Sequence, residues 1–330
     1  MPKKLKIGGV EVKPGEKKTI NLEVAKIYDS TELTMPVRVI RGTKDGPIVF
    51  LSAAIHGDEL NGVEIIREVL KYLESKKIKG TIIAVPIVNV FGFNNKSRYL
   101  PDRRDLNRSF PGSTHGSLAS RMAKIFLKEV VSKCTHGIDF HTGAIHRSNF
   151  PQIRADLSCS KTRKFAKSFN APMTLDSKTR DGSLREAARK KGVLTLVYEG
   201  GQALRFEDSV IKMGKKGCLA ALREIGVLLP LKRKVIPSTV KAYGSYWIRS
   251  PKGGTFKLEV SLGQAVKKNQ VIGVINDPLG EEVEEILVHN NGYIIGVNEL
   301  PLVTQGEALV HVATVKGSTS KKDRLMDFVD

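Results

Sequence analysis

Ile48-Val49-Phe50-Leu51-Ser52-Ala53-Ala54-Ile55, running directly into His56-Gly57-Asp58-Glu59-Leu60-Asn61-Gly62, is the stretch that decides the fold. Its first eight residues are continuous and mostly apolar, as expected of a strand buried on both faces. Beyond them Leu60, Val63, Ile66, Val69, Leu70 and Leu73 recur at helical spacing, which predicts an amphipathic helix over 59–75. The turn between strand and helix carries a histidine and a glutamate.

The same alternation continues on both sides. Residues 34–41 read as a strand, and Thr81 to Val88 as the next buried strand. A helix over 117–132 leads to a strand ending at His141. Residues 183–191 read as helix, Gly192 to Glu199 as a strand ending in a carboxylate, and 206–226 as helix. Alternating strands and helices indicate an α/β sheet covered on both sides. The polar segment 91–116 reads as a long functional loop. Near Pro230 to Pro237 the pattern changes. From Val240 to Val312 short strands are broken by Lys252-Gly253-Gly254, Leu262-Gly263-Gln264, Asp277-Pro278-Leu279-Gly280 and Asn291-Gly292, the pattern of a small all-β unit. The expected division is 1–230, 231–315 and a polar tail, 316–330.

Length and composition bound the function. A chain of 330 residues suits one large domain and a smaller one, and 41% hydrophobic and 27% charged residues are ordinary for a soluble globular protein. No apolar run reaches about 18 residues, so no membrane helix is expected. Met1-Pro2-Lys3-Lys4-Leu5-Lys6 has no apolar stretch after it, which argues against a secretory signal. Cys134, Cys159 and Cys218 are odd in number and far apart; they fit a reducing cytoplasm and read as small buried apolar residues. The net charge of +20 raises the question of nucleic acid. The basic residues are spread along the chain, however, and only 6% of residues are aromatic, so nucleic acid is not the favoured partner. A solvated basic surface, or one that concentrates small anions near a cleft, fits better. The oligomeric state is left open, and a homo-oligomer is compatible with the sequence.

His56, Glu59, His141 and Glu199 carry the chemistry. Two histidines and one glutamate are a zinc set that leaves a position for water. A further carboxylate that is not a ligand, here Glu199, serves as general base. His56, His141 and Glu199 each fall at or just beyond the C-terminal end of an expected strand, the edge where open α/β sheets bind ligands. Residues far apart in sequence thus converge. Asp139 and His141 face the same way on their strand, so Asp139 can orient a ligand from behind. The loop Arg98-Tyr99-Leu100-Pro101-Asp102-Arg103-Arg104-Asp105-Leu106-Asn107-Arg108 is rich in guanidinium, which binds carboxylate bidentately. Asn107 offers an amide donor beside Arg108. Taken alone, this loop fits a phosphate or RNA contact, or a solvated basic surface, equally well. His115, His136, His146, His289 and His311 have no ligand partner at useful spacing; His146 and Arg147 follow His141 closely enough to line a pocket.

His56-Gly57-Asp58-Glu59-x-Asn61-Gly62, Arg104-Asp105-Leu106-Asn107-Arg108-x-Phe110-Pro111-Gly112, Asp139-x-His141-Thr142-Gly143 and Glu199-Gly200-Gly201 together resemble the succinylglutamate desuccinylase/aspartoacylase family, related to zinc carboxypeptidases. The resemblance covers roughly 30–312. It implies a mixed eight-stranded sheet between helices, with a small C-terminal β domain. It implies one zinc per chain on His56, Glu59 and His141, with Glu199 as general base. Asn107 and Arg108 would hold a substrate carboxylate, with Arg104 nearby. Arg98 would polarise the scissile carbonyl, a role Arg103 or Arg104 could also take. Ser250-Pro251-Lys252-Gly253-Gly254 and the glycine-marked strands after it resemble a biotinyl/lipoyl-type hammerhead, but Asp277-Pro278-Leu279-Gly280 stands where the modified-lysine hairpin belongs. A structural or pocket-closing module is expected there, not a carrier. The implied activity is hydrolysis of the amide bond of a small anionic N-acylated amino acid or related compound, with ester cleavage also open to it. The alternatives are a peptide-cleaving metallocarboxypeptidase or a basic nucleic-acid-binding protein on a vestigial hydrolase fold.

Overall fold

The computed structural model describes residues 4–231 and 239–316. The change of pattern before Pro237 and the polar tail lie almost wholly outside the described residues. A hairpin, β1 (Leu5–Ile7) and β2 (Val10–Val12), precedes a long antiparallel pair, β3 (Lys17–Lys26) and β4 (Glu32–Arg41). Then follow β5 (Lys44–Ala53), α1 (Asn61–Leu73), β6 (Lys79–Val85), α2 (Val90–Asn94), α3 (Leu118–Glu129), β7 (His136–His141), β8 (Arg147–Ala155), α4 (Ser160–Phe169), β9 (Met173–Asp176), α5 (Leu184–Lys190), β10 (Leu194–Gly201) and α6 (Asp208–Glu224). The remainder is all strand: β11 (Val240–Arg249), β12 (Gly254–Leu258), β13 (Ala265–Val266), β14 (Val271–Asn276), β15 (Val283–Leu287), β16 (Gly292–Asn298), β17 (Leu302–Val303) and β18 (Ala308–Val315).

Eight strands before residue 202 form a mixed sheet in the order β9-β8-β10-β7-β5-β6-β4-β3. Its centre is parallel, with β7 between β5 and β10. The apolar run of β5 serves both faces. Phe50 enters a core with Phe126 and Met122 of α3 and Leu184 of α5. Val49, Leu51 and Ala53 enter the opposite core with Ile65, Ile66 and Val69 of α1 and Phe165 of α4. Alternation by two with apolar residues at most positions suits a doubly covered strand; the one polar residue of the buried run, Ser52, is hydrogen-bonded to Asp139. Each such apolar side chain contributes about 1.5–3 kcal/mol of burial.

The sheet does not stop at β9. β11 pairs in parallel with β9, and β18, β16 and β13 follow, making twelve strands among the described residues. β16 also pairs antiparallel with β8, through Gly296 opposite Asn149. The pairings β8–β9–β11–β18–β16–β8 therefore close into a ring of five strands around Phe150, Met173, Leu175, Tyr293 and Ile295. A separate four-stranded sheet, β15-β14-β12-β17, packs on the outer strands through Phe256, Ile272, Ile275 and Leu309.

The segment read as one long loop contains α2 and a single 3-10 turn at Leu106–Arg108. Cys134 and Cys218 are buried, but Cys159 is exposed ahead of α4, where the chain leaves β8 for a surface helix. No helix among the described residues is long and apolar enough to cross a membrane.

The β5–α1 turn is tightly fixed. A methyl group built on Gly57 would overlap the backbone of Gly92 and Phe93 in α2, so only glycine lets the turn sit against that helix. Substituting Gly57→Ala should destabilise the fold by about 1–3 kcal/mol through overpacking. Urea unfolding of the purified variant measures this, and an unchanged midpoint would contradict the close approach.

Candidate active site

Three strand ends build the site. His56 and Glu59 lie in the β5–α1 turn, His141 is the last residue of β7, and Glu199 sits near the end of β10 in register with His141. Paired residues on neighbouring parallel strands leave the sheet on the same side. The register breaks between Glu199 and Gly201 against β8, a bulge at the strand end where β-sheets re-aim side chains. Gly201 adopts φ +76°, and a side chain there would collide with Asn61 and Glu207. Asn61 ties the two segments together: its Nδ2 donates to Gly200 O at 3.4 Å, and Glu207 N donates to its Oδ1 at 3.0 Å.

Glu59 is the hub. Its Oε1 lies 2.7 Å from His56 Nδ1, and its Oε2 lies 2.7 Å from His141 Nδ1. Candidate donor atoms of His56, Glu59 and His141 all fall within 4.8 Å of one another, and all three residues are buried. Each imidazole is braced from behind by a carboxylate. His56 Nε2 faces Asp105 Oδ1 at 3.2 Å, and His141 Nε2 faces Asp139 Oδ2 at 2.7 Å. Ser52 Oγ donates to the other oxygen of Asp139 at 2.7 Å. A carboxylate accepting from Nε2–H fixes the tautomer that leaves Nδ1 as a donor to a metal. The residues thus fit a divalent ion with two imidazoles and one carboxylate.

The electrostatics are coherent. Burial alone would raise the Glu59 carboxyl, yet the two imidazoles hold it well below the usual carboxylate range. Burial would likewise raise Asp105, but His56 and Arg98 hold it far down. Burial disfavours the charged imidazole of His141, and Asp139 and Glu59 reverse that and carry it well above its ordinary value. Arg98 completes the cluster through Glu59 Oε1 at 3.2 Å and Asp105 Oδ2 at 3.0 Å.

A cavity of about 390 Å³ holds the donors together with Glu199, Arg98, Asn107 and Arg108. Asn149 Nδ2 donates to Glu199 Oε2 at 2.7 Å and fixes that carboxylate. Asn107 Oδ1 accepts from Leu184 N at 2.9 Å, which turns its amide donors away from α5. Arg104 lies off the cavity wall: its side chain is 64% exposed and leans on Asp102 at 3.9 Å. Arg103 is also exposed. Sequence reasoning gave no role to Asp105, Asn149, Arg154, Arg180, Arg185, Trp247 or His311. Of these, all but Asp105 line the cavity. Arg147 lines it as its proximity to His141 suggests, while His146 is not on its wall. Asp105, between Arg104 and Leu106, reads in sequence as charge balance in a basic loop; the others are single residues scattered over β8, the segment after β9, α5, β11 and β18.

A family model for the succinylglutamate desuccinylase/aspartoacylase catalytic domain matches residues 45–225. The chain is similar to N-alpha-acetyl-L-2,4-diaminobutyric acid deacetylase of Halomonas elongata, 25% identical over 296 residues, which is 85% of this chain and 86% of that one. Among solved structures it is similar to a succinylglutamate desuccinylase/aspartoacylase from Rhodobacter sphaeroides, with a TM-score of 0.82 and 22% identity over 92% of this chain and 96% of the other. The product-bound ectoine utilization protein EutE (DoeB) from Ruegeria pomeroyi gives 0.82 and 23% over 92% and 97%. The matched segment is more than half of the chain and contains His56, Glu59, the arginine loop, His141 and Glu199, so this protein belongs to the succinylglutamate desuccinylase/aspartoacylase family.

Proposed function

We propose that the protein is a zinc-dependent deacylase, cleaving the amide bond of a small N-acylated amino acid or related carboxylate-bearing compound. The observation that carries this reading is the pairing of a doubly braced His56–Glu59–His141 donor set with Glu199, in register on the next strand and held by Asn149. Membership of a deacylase family and likeness to a deacetylase support it. One zinc per chain would sit on His56, Glu59 and His141. When bound, such an ion supplies Lewis-acid polarisation of the carbonyl and makes the attacking water more acidic.

The remaining chemistry belongs to the chain. Glu199 takes the proton of the attacking water and returns it to the leaving amine. Arg98, fixed by Glu59 and Asp105, presents a positive charge to the oxygen that becomes anionic. We assign the substrate carboxylate to Asn107 and Arg108 rather than to Arg104, whose side chain stays in solvent. Arginines in a cavity of this size favour a small charged substrate over an extended peptide. The strands of 231–315 we read as a pocket-closing β domain of biotinyl/lipoyl-like shape, since Ser245, Trp247 and His311 reach the cavity wall. Free cysteines support a reducing compartment, the cytoplasm.

The direct test is amine release from a panel of N-acetyl and N-succinyl amino acids, before and after chelation and after zinc is restored. Release that chelation abolishes and zinc restores is expected; release untouched by complete metal removal would end the zinc reading. Glu199→Gln should bind zinc as tightly as the native protein while kcat falls by about 10²–10⁴. Asp139→Asn should behave in the opposite sense, weakening zinc by about 10–100-fold in competition with a chromogenic chelator. Equal zinc affinity in native protein and Asp139→Asn would remove Asp139 from its bracing role.

A further inference from the structure

Two surfaces outside the active-site cavity complement each other. The first is the hairpin between β14 and β15, where Asp277-Pro278-Leu279-Gly280 stands. Five of the chain's 34 acids fall within residues 277–285, and no Lys or Arg is among them. Asp277 is used internally: its carboxylate accepts from Leu279 N at 3.1 Å and from Glu282 N at 2.7 Å, which shapes the turn. Glu282 pairs with Lys252 at 3.0 Å. Glu281, Glu284 and Glu285 have no cationic partner among the described residues. The same hairpin exposes three apolar side chains, Leu279 at 80%, Val283 at 59% and Leu287 at 41%. Val283, Glu285 and Leu287 alternate with buried Ile286, so they share the outward face of β15, an edge strand. Apolar side chains grouped on a surface and rimmed by charge mark a contact site. An edge of this charge does not pair with its own copy, because glutamate would meet glutamate. Its complement is basic, with an apolar recess.

The same chain carries such a surface. A cavity of about 450 Å³ opens at the edge of the sheet opposite the metal donors, between the starts of β7 and β10, α4 and the end of α6. His136 and Leu194 begin those two strands in register, whereas His141 and Glu199 lie toward their other ends. Phe165, Leu194 and Ile225 give the cavity an apolar lining, and Lys161 and Lys164 stand on its wall. His136 meets Phe165 edge-on with ring centroids 5.1 Å apart. Burial lowers the His136 imidazole below its ordinary value, so it adds no charge at neutral pH. α4 carries Lys161, Arg163, Lys164 and Lys167 and no acid. Lys164 leans on Glu224 at 2.7 Å with its side chain 78% exposed, and Lys161 has no acidic partner among the described residues. No residue of 240–315 lines this cavity, so the hairpin does not fill the recess of its own chain.

We propose that these two surfaces meet between copies of this chain: the β14–β15 hairpin of one protomer seats Leu279 in the cavity at the start of β7 and β10 of another, with Glu281 and Glu285 against Lys161 and Lys164. The occupant is a second copy because both halves of the contact belong to one sequence. An acidic hairpin is also the exception on a chain of net charge +20, whose copies otherwise repel one another. The contact joins unlike patches, so two of them close a two-fold dimer where they are reciprocal, and a ring where they are not. It lies away from the metal donors and is independent of the deacylase reading.

Sedimentation equilibrium of the full-length protein over a range of concentrations tests the contact. A molar mass rising above the 36.3 kDa of one chain, and falling back as salt screens the carboxylates and lysines, is expected. Leu279→Asp, which sets a charge in the apolar recess, should weaken association by at least about 10-fold, and so should the pair Lys161→Glu and Lys164→Glu. Leu279→Ser stands in should the aspartate variant not fold. The reversed hairpin, Glu281→Lys with Glu285→Lys, should also fail to associate alone. Mixing it with the Lys161→Glu and Lys164→Glu protein should restore association, because each then offers the charge that the other now needs; recovery also shows both to be folded. A monomer at every concentration in low salt would leave the cavity to another occupant and overturn the proposal. So would an assembly that none of these substitutions weakens, or loss in both reversed proteins with no recovery on mixing.

Discussion

The Glu59 carboxylate, shared between two buried imidazoles, is the constraint on which the site depends. Around it stand Asp105, Asp139 and Arg98, all partly or fully withdrawn from water. With neutral imidazoles, three carboxylates and one guanidinium leave two negative charges. A dication on the Nδ1 atoms cancels them, and so do two protons, which is why the fold pulls both histidines toward the charged form. The cluster therefore demands two positive charges at the point where the Nδ1 atoms converge. Burying so much charge is tolerable only because every oxygen named has a donor, and that requires β5, β7 and the arginine loop to meet within tenths of an ångström. Gly57 against α2 and Asp105 at the start of its 3-10 turn are the local solutions.

The C-terminal strands extend this constraint to Glu199. Asn149, which orients Glu199, is opposite Gly296 where β16 joins β8, and a side chain at Gly296 would crowd its amide. The ring through β8, β9, β11, β18 and β16 thus holds the second strand behind Glu199 from both sides. The same ring carries Trp247 and His311 to the cavity, with Arg147 lying over the Trp247 ring at 5.2 Å. A β unit that looks like an appendage in sequence is hydrogen-bonded into the wall of the site.

How much was legible depended on the range of the interaction. Mostly apolar runs betray doubly covered strands, so β5, β6 and much of β10 could be read directly, although β6 ends at Val85 rather than Val88; the end of β7 was read at His141, and from these ends came the convergence of His56, Glu59, His141 and Glu199. The length of a strand says nothing of its partner, so the joining of β11 to β9 and of β16 to β8 had no local signature. Asp105 was hidden differently: in a loop crowded with arginines an acid reads as charge balance, whereas in the fold it braces His56 and caps its own turn through Asn107 N. Arg104 and Arg108, four residues apart in one basic loop, looked equivalent. The 3-10 turn separates them, leaving Arg104 in solvent and Arg108 at the cavity.

The excess of positive charge acquires meaning by the same distinction. Most of the surplus behind the net charge of +20 belongs to exposed side chains, whose fields are damped within about 10 Å at 0.1 M salt. Such charges concentrate anions near the surface and cannot tell one from another. Arg154 and Arg185 are half-buried on the cavity wall; one nitrogen of each, Nε and Nη1, is withdrawn from water, and the other arm of Arg185 donates to Lys178 O at 2.7 Å. Cations so placed carry direction as well as sign, because a planar donor pair accepts a carboxylate in few orientations. The two kinds of cation thus differ in what they offer an anion: the exposed ones offer sign alone, and the half-buried ones on the cavity wall offer donors with a direction.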